Sequence, residues 1–190
     1  MNCAQRVCVF ALVSFLVCFN GFPALGKENS SLNETAQQDH FQWGEHTKLS
    51  WDDFKGSVNA IRNESAAATC CSIGFRTNTS TPDGKPEIIV YNTFYANKSW
   101  VRPDARIPSI LDHEQGHFDL CEVYTRKLKK LLGNIDLNSP NFKQELMRIY
   151  SQVSNEYETR QQAYEQETTH GTNIAQQKRW QGMIACELMS

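Results

Sequence analysis

Apolar positions change their spacing twice along this 190-residue chain. The longest apolar run, Val7 to Phe19, stands behind Arg6 and leads into Phe22-Pro23-Ala24-Leu25-Gly26. A basic end, an apolar stretch and small residues two apart make the layout of a secretory signal, so residues 1–26 are expected to be cleaved off after Gly26. The run is shorter than the ~20 apolar residues needed to span a bilayer, and no later one approaches that length. Lipidation at Cys18 is disfavoured because Leu16-Val17 lacks the small residue that normally precedes a lipidated cysteine. Residues 27–40 are polar and read as a flexible lead-in, which leaves 41–190 as one folded domain.

From Phe41 to Arg102 the spacing is that of strands. Ser72 to Thr77 alternates, Thr81-Pro82-Asp83-Gly84-Lys85 is a turn, and Glu87 to Tyr95 is rich in β-branched and aromatic residues. A short antiparallel sheet is expected. After Pro103 the spacing becomes helical. Pro108 and Ser109 open a helix that runs to Leu132, with Gly133 at its end. Ser139 as N-cap and Pro140 at the first helical position open a second helix reaching about Thr168. Within it Phe142, Leu146, Ile149, Tyr150, Val153, Tyr157 and Tyr164 recur three and four apart and form one buried stripe. Gly171 interrupts, and a third helix is expected from about Asn173 to Leu188. Strands followed by helices indicate an α+β fold.

Composition adds exclusions. Nineteen Lys+Arg against twenty-one Asp+Glu give a net charge of −2, and no basic cluster exceeds Lys127, Lys129 and Lys130, so a nucleic-acid partner is not expected. Nor is stable membrane association once the signal is removed. Export alters the meaning of the cysteines. Cys3, Cys8 and Cys18 leave with the signal, and Cys70, Cys71, Cys121 and Cys186 remain. An even number in an oxidising compartment favours disulfides. Adjacent Cys70 and Cys71 can hardly pair without strain, so one is expected to reach Cys186 and the other Cys121. Asn-x-Ser/Thr sequons at Asn29, Asn33, Asn63, Asn78 and Asn97 matter only in a eukaryotic secretory pathway.

The candidate chemistry lies in His113-Glu114-Gln115-Gly116-His117 of the first helix. Histidines four apart on a helix project from one face and can hold a single zinc ion, while the intervening glutamate flanks that face and can reach a metal-bound water. The bland alternative is a pair of packed histidines among Ile110, Leu120, Tyr124 and Leu128. At about 100° per residue Glu122 faces away from the pair, and Cys121 lies another ~6 Å along the axis. A third ligand therefore comes from elsewhere. The other histidines are His40, His46 and His170. If the second helix ran on unchanged, Glu167 would lie about 60° from Tyr164 and His170 about 120°. Periodicity leaves both as candidates.

Several ordered motifs carry a resemblance. Leu49-Ser50-Trp51-Asp52-Asp53-Phe54-Lys55-Gly56, Ser99-Trp100-Val101, Leu111 to Asp119, and Tyr164 to Gly171 with Gln177 and Trp180 resemble the predicted secreted zinc-dependent proteases grouped as domain of unknown function 922. The likeness runs over about residues 47–188. It implies a zincin-like fold, export, one zinc ion at His113 and His117, catalysis by Glu114, and a functional place for the Thr-x-His-Gly segment. On that basis His170 is the expected third ligand, with Glu167 orienting a ligand from behind or exchanging roles with it; where the family often has Asp, this chain has Glu165. The expected function is a secreted zinc metallopeptidase acting on a peptide or protein. A non-catalytic binding or inhibitory protein with a structural zinc, and a zinc amidase acting on a non-protein amide, are the competing readings. Tyr157, Tyr164 and Arg126 are candidate oxyanion stabilisers. The strand Glu87 to Tyr95 is either an edge that adds an extended substrate or a central strand, and Trp51, Trp100 and Trp180 line either a cleft or the core.

Overall fold

A computed structural model describes residues 40–58, 65–78 and 87–190. The expected signal, nearly all of the lead-in and the turn at 81–85 lie outside the described residues. Strands β1 (His40–Phe41), β2 (Ala67–Ala68), β3 (Cys71–Asn78), β4 (Glu87–Tyr95) and β5 (Trp100–Val101) come first. Helices α1 (Pro108–Leu132), α2 (Phe142–Thr168) and α3 (Ile174–Met189) follow, so the fold is α+β.

β3 and β4 form an antiparallel ladder from Cys71 opposite Phe94 to Asn78 opposite Glu87. β1 joins the far side of β4 at Phe94 and Tyr95, which makes β4 the central strand. The same hairpin resumes as β2 against β5 after the chain bulges through residues 96–99. Ser99 bridges the break. Its hydroxyl accepts from Cys70 N at 2.9 Å, giving that buried N–H the partner that the bulge removes, and donates to Tyr95 O at 2.9 Å.

α1 packs on β3 and β4 with one side and on α2 and α3 with the other. Three apolar clusters meet on it. Ile73, Cys121, Leu128, Leu146 and Val153 join β3, α1 and α2; Phe54, Phe94 and Phe118 join the N-terminal segment, β4 and α1; Leu120, Tyr164, Trp180 and Ile184 join the three helices. Each such side chain, fully buried, contributes about 1.5–3 kcal/mol.

α1 begins at Pro108 and is closed by Gly133, as its end signals imply. α2 starts at Phe142, two residues beyond Pro140. The Ser139 hydroxyl accepts from Asn141 N at 3.3 Å and its carbonyl from Phe142 N at 3.0 Å, so Ser-Pro-Asn is spent on a turn. Cys71, Cys121 and Cys186 are not joined by a disulfide, and exposed Cys186 bridges neither Cys70 nor Cys71, contrary to the expected pairing. Among the described residues no helix is long and apolar enough to cross a membrane.

Candidate metal centre

His113 and His117 lie one turn apart on the face of α1 that meets α2 and α3. Gly116 lets α2 come close: a Cβ there would sit 2.2 Å from the Tyr164 hydroxyl. The fully buried Tyr164 ring stacks on His113 at 4.8 Å and meets His117 edge-on at 4.9 Å. Its hydroxyl donates to His113 O at 3.0 Å.

That bond fixes a chain of hydrogens. With its proton given to a carbonyl, the Tyr164 hydroxyl accepts from Gln177 Nε2 at 2.7 Å, which turns Gln177 Oε1 to His113 Nδ1 at 3.1 Å. Gln161 Nε2 donates to His117 O at 2.9 Å, which turns Gln161 Oε1 to His117 Nδ1 at 2.5 Å. An amide oxygen only accepts, so each Nδ1 carries a proton and each Nε2 is the nitrogen turned toward Glu165, a donor to it when the ring is charged and a lone pair for a metal ion when the ring is neutral.

The two Nε2 atoms are 3.1 Å apart, and Glu165 Oε2 completes a triangle at 2.9 Å from His113 and 3.0 Å from His117. Ligands of a tetrahedral zinc at about 2.0–2.1 Å are separated by about 3.3 Å. The three atoms therefore fit the ion after shifts of a few tenths of an ångström, and protein supplies three corners of four. Charge fits too. Burial pushes the Glu165 carboxyl up, but hydrogen bonds from His113 and His117 outweigh it and hold the group well below the usual carboxylate range. Burial pushes His117 down, yet Glu165 carries it up to about 9. Three acceptors this close need positive charge among them, which a proton or a metal ion supplies.

Glu114 is 3% exposed, and its Oε2 has no hydrogen-bond partner among the described residues. A buried carboxylate oxygen without a donor is costly, so the position calls for one from outside the described residues.

The third corner differs from the expectation of His170 or Glu167. Glu165 lies about 40° from Gln161, one turn on, although about 100° from Tyr164; judging the face of α2 from its apolar stripe alone conceals this. Glu167 instead accepts from Trp180 Nε1 at 2.9 Å. His170 is 53% exposed on its side chain and its Nδ1 bonds Glu165 Oε1, the oxygen turned away from the two histidines. It reaches there because Thr169, His170 and Gly171 are all left-handed, with φ of 50°, 55° and 78°, and fold the chain back beneath the end of α2. A Cβ on Gly171 would come 2.9 Å from His113 Cβ.

The oxyanion candidates are engaged elsewhere. Tyr164 is committed as above, the Tyr157 hydroxyl accepts from Gln161 Nε2 at 2.9 Å, and Arg126 is paired with Glu122 on an exposed face. Trp100 and Trp180 are core residues, and Trp51 packs edge-on against Phe54.

Known proteins share part of this chain. Residues 86–171 match the family described as bacterial protein of unknown function, DUF922. The DUF922 match holds His113, Glu114, His117, Gln161, Glu165 and His170, and ends short of Gln177 and of the motifs before residue 86. Its description names no activity. No curated protein and no solved structure matches the chain.

Proposed function

We propose that the protein is a zinc-dependent hydrolase of the metallopeptidase type, with His113, His117 and Glu165 as the metal ligands and Glu114 as the general base. The observation that carries this reading is an orphaned, buried oxygen on Glu114, the residue next in sequence to His113, whose ligand atom converges with those of His117 and Glu165. A closed structural site has no use for a second acid held without a partner. In this reading the fold is zincin-like, with an antiparallel sheet packed on the metal-bearing helix. Zinc, when bound, polarises a carbonyl and makes water nucleophilic near neutral pH.

The chain's own part is positional and protonic. Gln177 and Gln161 hold both imidazoles with Nε2 forward, and His170 holds the second oxygen of Glu165, so that Oε2 alone is offered. Glu114 accepts a proton from the attacking water at Oε2 and passes it to the departing amine nitrogen. The expected site of action is beyond the inner membrane, secreted or periplasmic, after removal of residues 1–26, with peptide or protein as substrate.

Metal analysis of the purified protein, combined with a fluorogenic peptide library, tests the reading. About one zinc per chain, and hydrolysis that a chelator abolishes and zinc restores, is the expected result. Stoichiometric zinc with no peptide cleaved would overturn the peptidase assignment, and a folded protein with no affinity for zinc would overturn the whole reading.

A further inference from the structure

Beside the metal centre runs the outer edge of β2. The hydrogen bonds of that strand fix which way its backbone faces. Ala66 O accepts from Arg102 N at 2.9 Å and Cys70 O from Tyr95 N at 2.9 Å, while Cys70 N donates to the Ser99 hydroxyl. Ala66, Ala68 and Cys70 therefore direct their backbone groups to the β4–β5 side. Alternation turns the N–H and C=O of Ala67 and Thr69 the other way, where they meet no backbone partner among the described residues. Their side chains are committed inward: Ala67 packs in the cluster of Phe94 and Phe118, and Thr69 Oγ1 donates to Glu114 O at 3.3 Å.

Followed from β3 to β2, this edge passes from α2 to the metal helix. On β3 it is covered, since Ile73 O accepts from the Tyr150 hydroxyl at 3.2 Å. On β2 the contact is with α1 at Glu114, while α2 reaches the two imidazoles through Gln161 and Glu165. Ala67 and Thr69 thus face across α1 toward the end of α2 that carries Glu165. The far edge of β4 beyond β1 has no such place. Its Ile88 and Val90 pack against the cluster that holds Leu128 and Leu132, about three turns past His117.

We propose that the outer edge of β2 receives the substrate as an added strand, with its main chain bonded to Ala67 and Thr69 and a peptide bond over the metal centre. The inference rests on the hydrolase reading and adds to it the class of substrate: an extended polypeptide segment read through its backbone. Ala67 and Thr69 each offer one donor and one acceptor, two residues apart. A chain in β conformation matches that spacing at every second residue, and a single non-peptide amide cannot. The side chains that flank the edge, Ala66 and Ala68, are half-buried methyl groups. They bring neither charge nor a hydrogen bond, so they select little among residue types.

The zinc-loaded protein is titrated by calorimetry with short peptides carrying a hydroxamate at either end, which grips the zinc and fixes the register. A single N-methyl group is moved along the peptide. Methylation at every second nitrogen is expected to weaken binding about 10-fold, and methylation between those positions to leave it unchanged. Equal losses at all positions, or no gain of the peptides over acetohydroxamate, would overturn the edge and leave the hydrolase reading standing. Failure of acetohydroxamate itself to bind would overturn both. Proline is tolerated on an edge strand where its nitrogen faces outward. Ala67→Pro should therefore weaken the parent peptide about 10-fold while zinc content and acetohydroxamate affinity hold, and an unaltered peptide affinity would refute the docking edge. Should that variant fail to fold, amide exchange in the wild type decides: the bound peptide must slow exchange at the N–H groups of Ala67 and Thr69, and unchanged rates there refute the proposal.

Discussion

At the residue scale, the five positions from His113 to His117 divide their labour. The histidines present Nε2, Glu114 keeps one oxygen without a donor among the described residues, Gly116 admits Tyr164, and Gln115 works on the far side of the helix. Each role predicts a different outcome. Glu114→Gln is expected to keep fold and zinc while turnover falls by about 10²–10⁴, checked by metal analysis beside peptide hydrolysis. Glu165→Ala should weaken zinc binding far more than Glu167→Ala, because Glu167 only receives the Trp180 indole; competition with a chromogenic chelator ranks them, and the reverse order would return the ligand role to Glu167. His170→Ala should fall between, with a loss of about 10- to 100-fold in affinity, as for a group that orients a ligand from behind. Gly116→Ala drives a methyl group into Tyr164 and should cost about 1–3 kcal/mol in denaturant unfolding.

At the element scale, α1 is the spine and its two long faces do different things. One meets α2 and α3 at the metal centre. The other anchors the N-terminal segment: Gln115 Oε1 accepts from Leu49 N at 2.8 Å, its Nε2 donates to Thr47 O at 3.0 Å, and Asp119 Oδ1 receives Trp43 Nε1 at 2.8 Å. Gln115→Ala strands these groups and is expected to cost about 1–3 kcal/mol. Limited proteolysis should then cut within residues 42–54 before the rest of the chain. The elements themselves were largely legible in the sequence. Proline and glycine punctuate α1, β-branched residues mark β4, and three- and four-residue spacing marks α2, all signals that act within a few residues. Polar members of a buried face carry no such signal. Gln161 and Thr168 lie buried beside Leu146 and Val153 on α2, and hydropathy excludes them from the stripe. The left-handed turn at Thr169 and His170 was equally hidden, since β-branched Thr disfavours positive φ and His takes it up only in a small minority of cases. Only the packing of Gly171 on His113 and the His170–Glu165 bond impose it.

At the scale of the whole molecule, the candidate ligands come from two helices that the chain separates by 48 residues between His117 and Glu165. A bound zinc would therefore clamp α1 to α2 and resist unfolding. Zinc at about a thousand times its dissociation constant is expected to raise the melting midpoint by roughly 10 °C over the chelated protein, as read by calorimetry. An unchanged midpoint would show that the ion does not bridge the two helices.

What the sequence determined by itself was local: the α+β order, the helix and strand spans, and two histidines with a glutamate between them on one helix. Short-range backbone preferences and hydrophobic period encode these, and both survive in a one-dimensional reading. Tertiary structure alone decided that Glu165 rather than His170 stands at the third corner, and that two glutamines set which nitrogen each imidazole turns toward it. Each depends on how far apart two packed elements lie and how they are rotated about their axes. That arrangement arises from side-chain volumes such as the absent methyl of Gly116, and not from any periodicity along the chain.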